Sequence, residues 1–590
     1  MRDGVNLSTD IYLPSGPGPF PIILIRTPYD KNTLRPDWVS NNTSSFIYDA
    51  ENSLRTCSCT GPVEVYINAG YAVVAQDFRG LFESEGIFKY AISERRDFED
   101  TAKWLDAQRW SARRMGMWGC SYLGSVQVVG AVTNTPSLKA ITPMAAAGAF
   151  SSGLGRYTML WNYMGGAREF ANMLGWQAHS PSLYLKLDPS IETETWARFV
   201  HLYALRPSYK LDIGKLLWDL PIAGILDRAG LPPTNWDETM SHPPESSFWH
   251  DTECVTNEDK LYTPALWIDT WNDVQPGEAI DAFNFAKEHA DNAIARDNQY
   301  MIMGPGKHCG IDRLTDNFKF GDLDLGDARF DLWDAMLKWN NRWVKGDIHA
   351  LENMPRVTYW LYGKNVWRTA SDMPIPGTRY TEMFLSSKTG ANSLNGDGLL
   401  SFDPPESLCC DKYLYDPADP TPTGPTEAWT VEMTDQRAIE ARRDVLVYTS
   451  EVLKEGMTVV GKIKMVLYIS SSAQDTDLTG KLVDVYPDGR AIQLQTGILR
   501  ARYRNGYTNP QLLNPGEIYE ITVDLNATGN WFAPGHQIRL EVSSSNFPRF
   551  DRNMNTGRDN YSETQGVVAE NAVFSGPEWR SRLILPVAPD

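Results

Sequence analysis

Unbroken apolar runs alternate with helix-period segments through the first part of the chain, and short alternating runs replace them toward the C-terminus. Pro21-Ile22-Ile23-Leu24-Ile25-Arg26 and Tyr71-Ala72-Val73-Val74-Ala75-Gln76 read as strands buried on both faces, the pattern of a parallel sheet covered by helices. Apolar residues at Phe98, Ala102, Trp104 and Leu105 predict a helix between Ser93 and Gln108. A further strand, Met115 to Cys120, leads into a helix from Tyr122 to about Val132 and then the strand Leu138-Lys139-Ala140-Ile141-Thr142-Pro143. This β-α-β rhythm implies an α/β sheet with right-handed crossovers.

From about residue 150 to 255 the rhythm breaks into Trp/Tyr/Leu/Met-rich segments of helical period, such as Arg168 to Leu174 and Glu192 to Leu205, which predict an inserted helical cap. The sheet pattern resumes at Pro264-Ala265-Leu266-Trp267-Ile268-Asp269, passes through a helix from Gly277 to His289 and reaches Gln299-Tyr300-Met301-Ile302-Met303-Gly304. An amphipathic helix follows over roughly Phe330 to Lys345. Beyond Pro374-Ile375-Pro376-Gly377 come alternating runs, including Lys464 to Ser470, Leu482 to Tyr486, Ile518 to Leu525 and Gln537 to Ser543, separated by Gly, Pro, Asn and Asp. They predict an all-β sandwich.

The junction Gly119-Cys120-Ser121-Tyr122-Leu123-Gly124 has the layout of a nucleophile elbow. A sharp strand-to-helix turn lifts a serine hydroxyl clear of the sheet and aims backbone N–H groups at a developing oxyanion, and small residues are needed at Gly119 and Gly124 for the turn to close. The general motif has glycine two places after the serine, where this chain has Leu123. A glycine-rich strand-helix junction with an incidental serine is the competing reading.

At 590 residues the chain exceeds one hydrophobic core and calls for several domains. Its net charge of −19, from 55 basic against 74 acidic residues with no compensating Lys/Arg cluster, argues against nucleic acid or an anionic membrane as partner. No apolar run is long enough for a membrane span. The seven cysteines do not form a dense disulfide framework, their odd number leaves at least one unpaired, and zinc spacing is absent. Cys57, Cys59 and the vicinal pair Cys409-Cys410 read as free thiols. The abrupt start at Met1-Arg2-Asp3-Gly4-Val5 allows a removed leader, so the expectation is a soluble protein, either cytoplasmic or secreted.

A serine nucleophile needs a histidine to take its proton and an acid to hold the imidazole, and in an α/β-hydrolase these follow in the order Ser, Asp/Glu, His on loops after later strands. His179, His201, His242 and His250 lie in the presumed cap, His289 on a helix face, His349 just after a helix and His536 in the β region. His308 alone follows a buried parallel strand, through Gly304-Pro305-Gly306-Lys307. For the acid, the segment Asp269-Thr270-Trp271-Asn272-Asp273-Val274 offers a strand-closing Asp269 and a loop Asp273. Asp273 is favoured because a loop carboxylate reaches the neighbouring loop; Asp269 is the alternate, and Asp281 reads as a solvated helix residue.

Taken together, these residues resemble the bacterial cocaine esterase and X-prolyl dipeptidyl aminopeptidase group of serine hydrolases. The resemblance spans nearly the whole chain: Asp3-Gly4-Val5 with Asp10-Ile11-Tyr12-Leu13-Pro14, Arg26-Thr27-Pro28-Tyr29, Asp77-Phe78-Arg79-Gly80, Gly119 to Gly124, Trp271-Asn272-Asp273, Gly304-Pro305 with His308, and Asn546-Phe547-Pro548-Arg549-Phe550-Asp551. The family's elbow tolerates the extra residue at Leu123. The resemblance implies Ser121 as nucleophile, His308 as general base and acid, Asp273 as orienting carboxylate, and an oxyanion hole from the Tyr122 N–H and the Tyr29 phenol. It implies an α/β-hydrolase domain (residues 1–149 and 256–375), the helical cap (150–255) and a C-terminal all-β jelly-roll-like domain (376–590). Related α-amino-acid ester hydrolases grip a substrate ammonium with acids, partly just beyond the triad acid, whereas Val274-Gln275-Pro276 stands there in this chain.

The expected activity is hydrolysis of carboxylic esters of a small or medium organic molecule through an acyl-enzyme, with no metal or organic cofactor. Amide or peptide hydrolysis, or acyl transfer and cyclisation in small-molecule biosynthesis, needs only the same three residues and is the alternative. A non-catalytic binding protein with a vestigial core is the alternative of another class. Trp161, Tyr163, Trp176 and Trp271 are candidates for an aromatic-lined substrate site, and 34–60 reads as an insertion that could border it. A homodimer through an exposed hydrophobic face is a further expectation that no motif carries.

Overall fold

A computed structural model describes residues 1–34, 61–150, 158–159, 161–179, 212–231, 234–424 and 430–589. The apolar runs become the centre of a nine-stranded sheet. Its strands are β1 (Thr9–Tyr12), β2 (Phe20–Thr27), β3 (Ala72–Asp77), β4 (Ser111–Cys120), β5 (Leu138–Met144), β6 (Ala265–Thr270), β7 (Gln299–Gly304), β8 (Val357–Leu361) and β9 (Val366–Ala370). They lie in the order β1-β3-β2-β4-β5-β6-β7-β8-β9. All pairs are parallel except the outermost ones, β1 with β3 and β8 with β9. β3 and β6 are buried along their whole length, as unbroken apolar strands between helical layers must be.

Helix α1 (Glu94–Asp106) turns Phe98, Ala102 and Leu105 into the core. Trp104, another of the apolar residues that predict this helix, is 46% exposed. It follows Phe98 by six residues, which at about 100° per residue lies far round the helix. Helix α2 (Tyr122–Ala131) is buried throughout and carries no amphipathic stripe, because it is enclosed between the sheet and the elements above it. The segment predicted as one helix over Phe330 to Lys345 is α-helical at Leu332–Asn340 and continues as a π-helical turn, Asn341–Lys345.

Of the predicted cap, the described residues hold a three-stranded ribbon ending at Ala167–Arg168, the helix Phe170–His179 and three short helices between Ile213 and Met240. The helix expected at 192–205, His201 and most of the insertion at 34–60 lie outside the described residues, as do Cys57 and Cys59.

The C-terminal region forms an eleven-stranded sheet from Arg379–Ser386 to Arg582–Val587. Its longest ladder pairs Met457–Ser471 with Tyr519–Phe532. The two sheets share one hydrophobic core, in which Trp271, Trp360 and Tyr362 meet Val460, Leu525 and Phe532. Backbone hydrogen bonds from Tyr362 N to Gly529 O and from Trp531 N to Tyr362 O tie the β domain directly to the edge of β8.

Candidate active site

Ser121 stands at the β4–α2 turn with φ 63° and ψ −126°, a backbone conformation that non-glycine residues hold only when their surroundings enforce it. Ser121 N donates to Met144 O at 3.0 Å, and Gly124 N and Ser125 N donate back to Ser121 O at 2.8 and 2.9 Å. A Cβ at Gly124 would lie 2.2 Å from Met144 O, and one at Gly119 2.3 Å from the Leu123 Cβ, so the turn has no room for a side chain at either place. Leu123 packs down into the core against Ile23 and Ile25, which is why this position tolerates a large residue. Gln127, which the sequence did not single out, braces the turn: its amide donates to Gly119 O and Leu123 O and accepts from Thr142 N.

Asp273 and His308 sit on the loops after β6 and β7. His308 Nδ1 and Asp273 Oδ2 are 2.7 Å apart, and Asp273 Oδ1 accepts from Val274 N at 2.7 Å. Both carboxylate oxygens are thereby engaged, and with Nδ1 turned to Asp273 the nitrogen on the opposite side of the ring, Nε2, is the one able to take a proton. Asp269 closes β6 and accepts from Thr270 N. Burial, then the neighbouring Asp273 charge, push its carboxyl well above the ordinary range. His536 with Asp484 makes a second His–Asp pair at 2.8 Å, but within the β domain.

The acid and base loops are held from outside the sheet. Trp271 N donates to Gly304 O, the Tyr362 hydroxyl donates to Asn272 Oδ1 at 2.6 Å, and that hydroxyl accepts from Gly306 N. Asn272 exchanges hydrogen bonds with Val431, and Arg549 Nη2 donates to Val274 O at 2.8 Å. Of the three groups that reach in from elsewhere in the chain, Arg549 belongs to a quoted motif, and nothing local in the sequence marks Tyr362 or Val431.

Tyr29 follows β2, and its phenol lies beside Ser121 and accepts from Trp176 Nε1 at 3.3 Å. Burial pushes the phenol above its ordinary value, which keeps it a donor. The Tyr122 ring stacks on Trp176 and meets Trp161 and Tyr90 edge-on. Tyr122 also donates to Glu94 Oε1 at 2.8 Å, and burial pushes that carboxyl up to about 8. As the first residue of α2, Tyr122 has a backbone N–H with no carbonyl inside the helix to receive it.

Trp161 and Trp176 therefore gather around the Tyr122 ring, Trp176 also reaching Tyr29, but the other two aromatic candidates do not. Trp271 is fully buried in the core shared with the β domain, its indole donating to Trp360 O at 2.7 Å. Tyr163 donates to His242 O and packs edge-on against Trp249 with the Arg168 guanidinium over its ring, holding the cap together. Composition alone cannot separate core aromatics from lining ones.

Cys120 and Cys309 form a disulfide that the sequence reading did not anticipate, with Cα atoms 5.9 Å apart. Cys254, Cys409 and Cys410 are free. Among the described residues, Cys120, His308 and Cys309 are the one group of three potential metal donors, and its two sulfurs are spent on each other.

Residues 3–310 match the family model described as X-Pro dipeptidyl-peptidase (S15 family), and residues 349–584 match its C-terminal non-catalytic domain. The chain belongs to this family. It is 38% identical to a cocaine esterase of Rhodococcus sp. (strain MB1 Bresler), with 100% of this chain and 97% of that enzyme aligned. A solved α-amino acid ester hydrolase superposes with a TM-score of 0.77 at 25% identity, covering 100% of this chain and 95% of the other. An aminopeptidase from a marine sediment Thaumarchaeota archaeon shares the fold with a TM-score of 0.76 at 24% identity, over the same shares of the two chains. The S15 chain described here is a serine hydrolase with an α/β-hydrolase domain and a C-terminal all-β domain. Among its described residues no helix is long and apolar enough to cross a membrane.

Proposed function

We propose that the reaction is hydrolysis of carboxylic esters through an acyl-enzyme on Ser121. His308 Nε2 takes the Ser121 proton as Oγ attacks the ester carbonyl, Asp273 stabilises the resulting imidazolium, and the Tyr122 N–H and Tyr29 hydroxyl receive the oxyanion. His308 then protonates the leaving alkoxide, and water repeats the sequence to release the acid. The observation that carries this reading is the His308–Asp273 hydrogen bond on loops beside a serine held at φ 63°. The cocaine esterase and the α-amino acid ester hydrolase among its relatives are both named for ester cleavage.

The rings of Trp161, Trp176 and Tyr122 favour an ester whose acyl or alcohol part is apolar or aromatic. Val274 and Gln275, both buried directly after Asp273, supply no charge for a substrate ammonium, so a free α-amine is not required. The test is Ser121→Ala assayed on a p-nitrophenyl ester panel of varied acyl size, with fluorophosphonate labelling mapped by mass spectrometry. Turnover and labelling are expected to vanish with the fold intact; normal turnover in the variant would refute the assignment.

A further inference from the structure

Cys120 immediately precedes Ser121, and Cys309 immediately follows His308. Their disulfide therefore joins the neighbours of the two groups between which a proton has to move. It does so across 189 residues of sequence and with Cα atoms 5.9 Å apart.

The sheet alone does not bring these residues together. In the order β4-β5-β6-β7, two strands separate the strand that carries Ser121 from the one that carries His308. At the usual strand spacing the ends of β4 and β7 are about 14 Å apart, so the loop after β7 has to reach sideways over β5 and β6. The loop is anchored near its ends: Gly304 O accepts from Trp271 N, Gly306 N donates to the Tyr362 hydroxyl, and Ile311 is buried in the core. At its far point Cys309 has φ 55°, a conformation that a non-glycine residue keeps when something holds it. The covalent tie is at that residue. Both cysteines are partly exposed, so a small thiol reagent can reach the bond.

We propose that the Cys120–Cys309 disulfide is a positioning element for ester hydrolysis, setting the approach of His308 to Ser121, and that its reduction lowers turnover. The proposal rests on the reading of Ser121 as nucleophile and His308 as base. A dithiol reductant supplies the two electrons that break the S–S bond and the two protons that leave Cys120 and Cys309 as thiols, and is itself oxidised to a disulfide. The released loop lets the imidazole drift while its hydrogen bond to Asp273 stays available. Misplacement of a proton-transfer partner by about 1 Å costs on the order of 100-fold in rate, whereas substrate binding by the cap and aromatic residues is untouched.

The experiment uses the full chain in four forms: wild type as isolated, wild type after dithiothreitol, the same sample reoxidised, and the Cys120→Ser/Cys309→Ser double variant. Each is assayed for kcat and KM on a p-nitrophenyl ester across pH, for the rate of fluorophosphonate labelling at Ser121, and for near-UV circular dichroism. Reduction is expected to lower kcat and the labelling rate about 10- to 100-fold. KM stays within about 2-fold, the acid limb of the pH profile moves, and reoxidation restores all three. The double variant matches the reduced enzyme and ignores dithiothreitol, which separates this bond from Cys57 and Cys59.

Equal kcat and pH profile in reduced and oxidised enzyme overturn the proposal. So does activity lost only in step with the near-UV signal, the mark of a general stabiliser. Should the double variant fail to fold, the reduced wild type decides. Failure of the underlying reading is visible separately, as labelling of the oxidised enzyme at a residue other than Ser121.

Discussion

Replacing Gly124 by alanine adds one methyl group at the point where helix α2 crosses β5. The new Cβ would stand 2.2 Å from the Met144 carbonyl oxygen, and main-chain oxygen has no rotamer with which to move aside. Restoring ordinary contact needs a displacement of about 1 Å, at a cost typical of overpacking, about 1–3 kcal/mol. That same oxygen accepts the hydrogen bond from Ser121 N, so the displacement passes directly into the nucleophile turn. A shift of this size at a reacting group lowers the rate by roughly 100-fold. The assay pairs urea unfolding midpoints with kcat on a p-nitrophenyl ester. Gly175→Ala is the internal control, because Gly175 lies within the helix Phe170–His179 and a Cβ there meets nothing within 4 Å. It should gain about 0.5–1 kcal/mol from helix propensity. If Gly124→Ala keeps the wild-type midpoint and kcat, the close packing at the elbow is not what sets the serine.

Two further outcomes follow from named groups. Tyr29→Phe removes the hydroxyl beside Ser121 and should lower kcat about 100- to 1,000-fold with little change in KM; turnover within a few-fold of wild type would remove Tyr29 from the oxyanion hole. Glu94 keeps its proton to about pH 8 in the fold against an ordinary 4.5, because it is buried. Between those values the unfolded chain has released that proton and the native protein has not, so this group's effect on stability turns unfavourable as pH rises through the window. Glu94→Gln carries no titrating proton, and its stability relative to wild type should rise steadily over that range in urea titrations; a constant difference would contradict the buried, neutral carboxyl.

Hydrophobic period was enough to locate the parallel strands, the elbow and the change to all-β structure, since burial of a continuous run or a stripe is a local property of the chain. The positions of Ser121, Asp273 and His308 were legible for the same reason: each stands on the turn or loop that follows a strand the pattern marks. Trp271 and Tyr163 were read as candidates for the pocket because bulk and aromaticity are equally at home in a core.

Local pattern therefore determined which elements form and which loops carry the chemistry. Tertiary structure decided the pairings. Asp273 rather than Asp269 reaches His308 because one stands on the loop and the other within a strand buried along its whole length. Tyr362, Val431 and Arg549 brace the acid and base loops from elements up to 275 residues away. Cys120 and Cys309, 189 residues apart, become partners only because the loop after β7 folds back across two strands to the elbow. Local sequence encodes backbone geometry and burial over one or two turns of chain, whereas these contacts depend on where distant loops end in space.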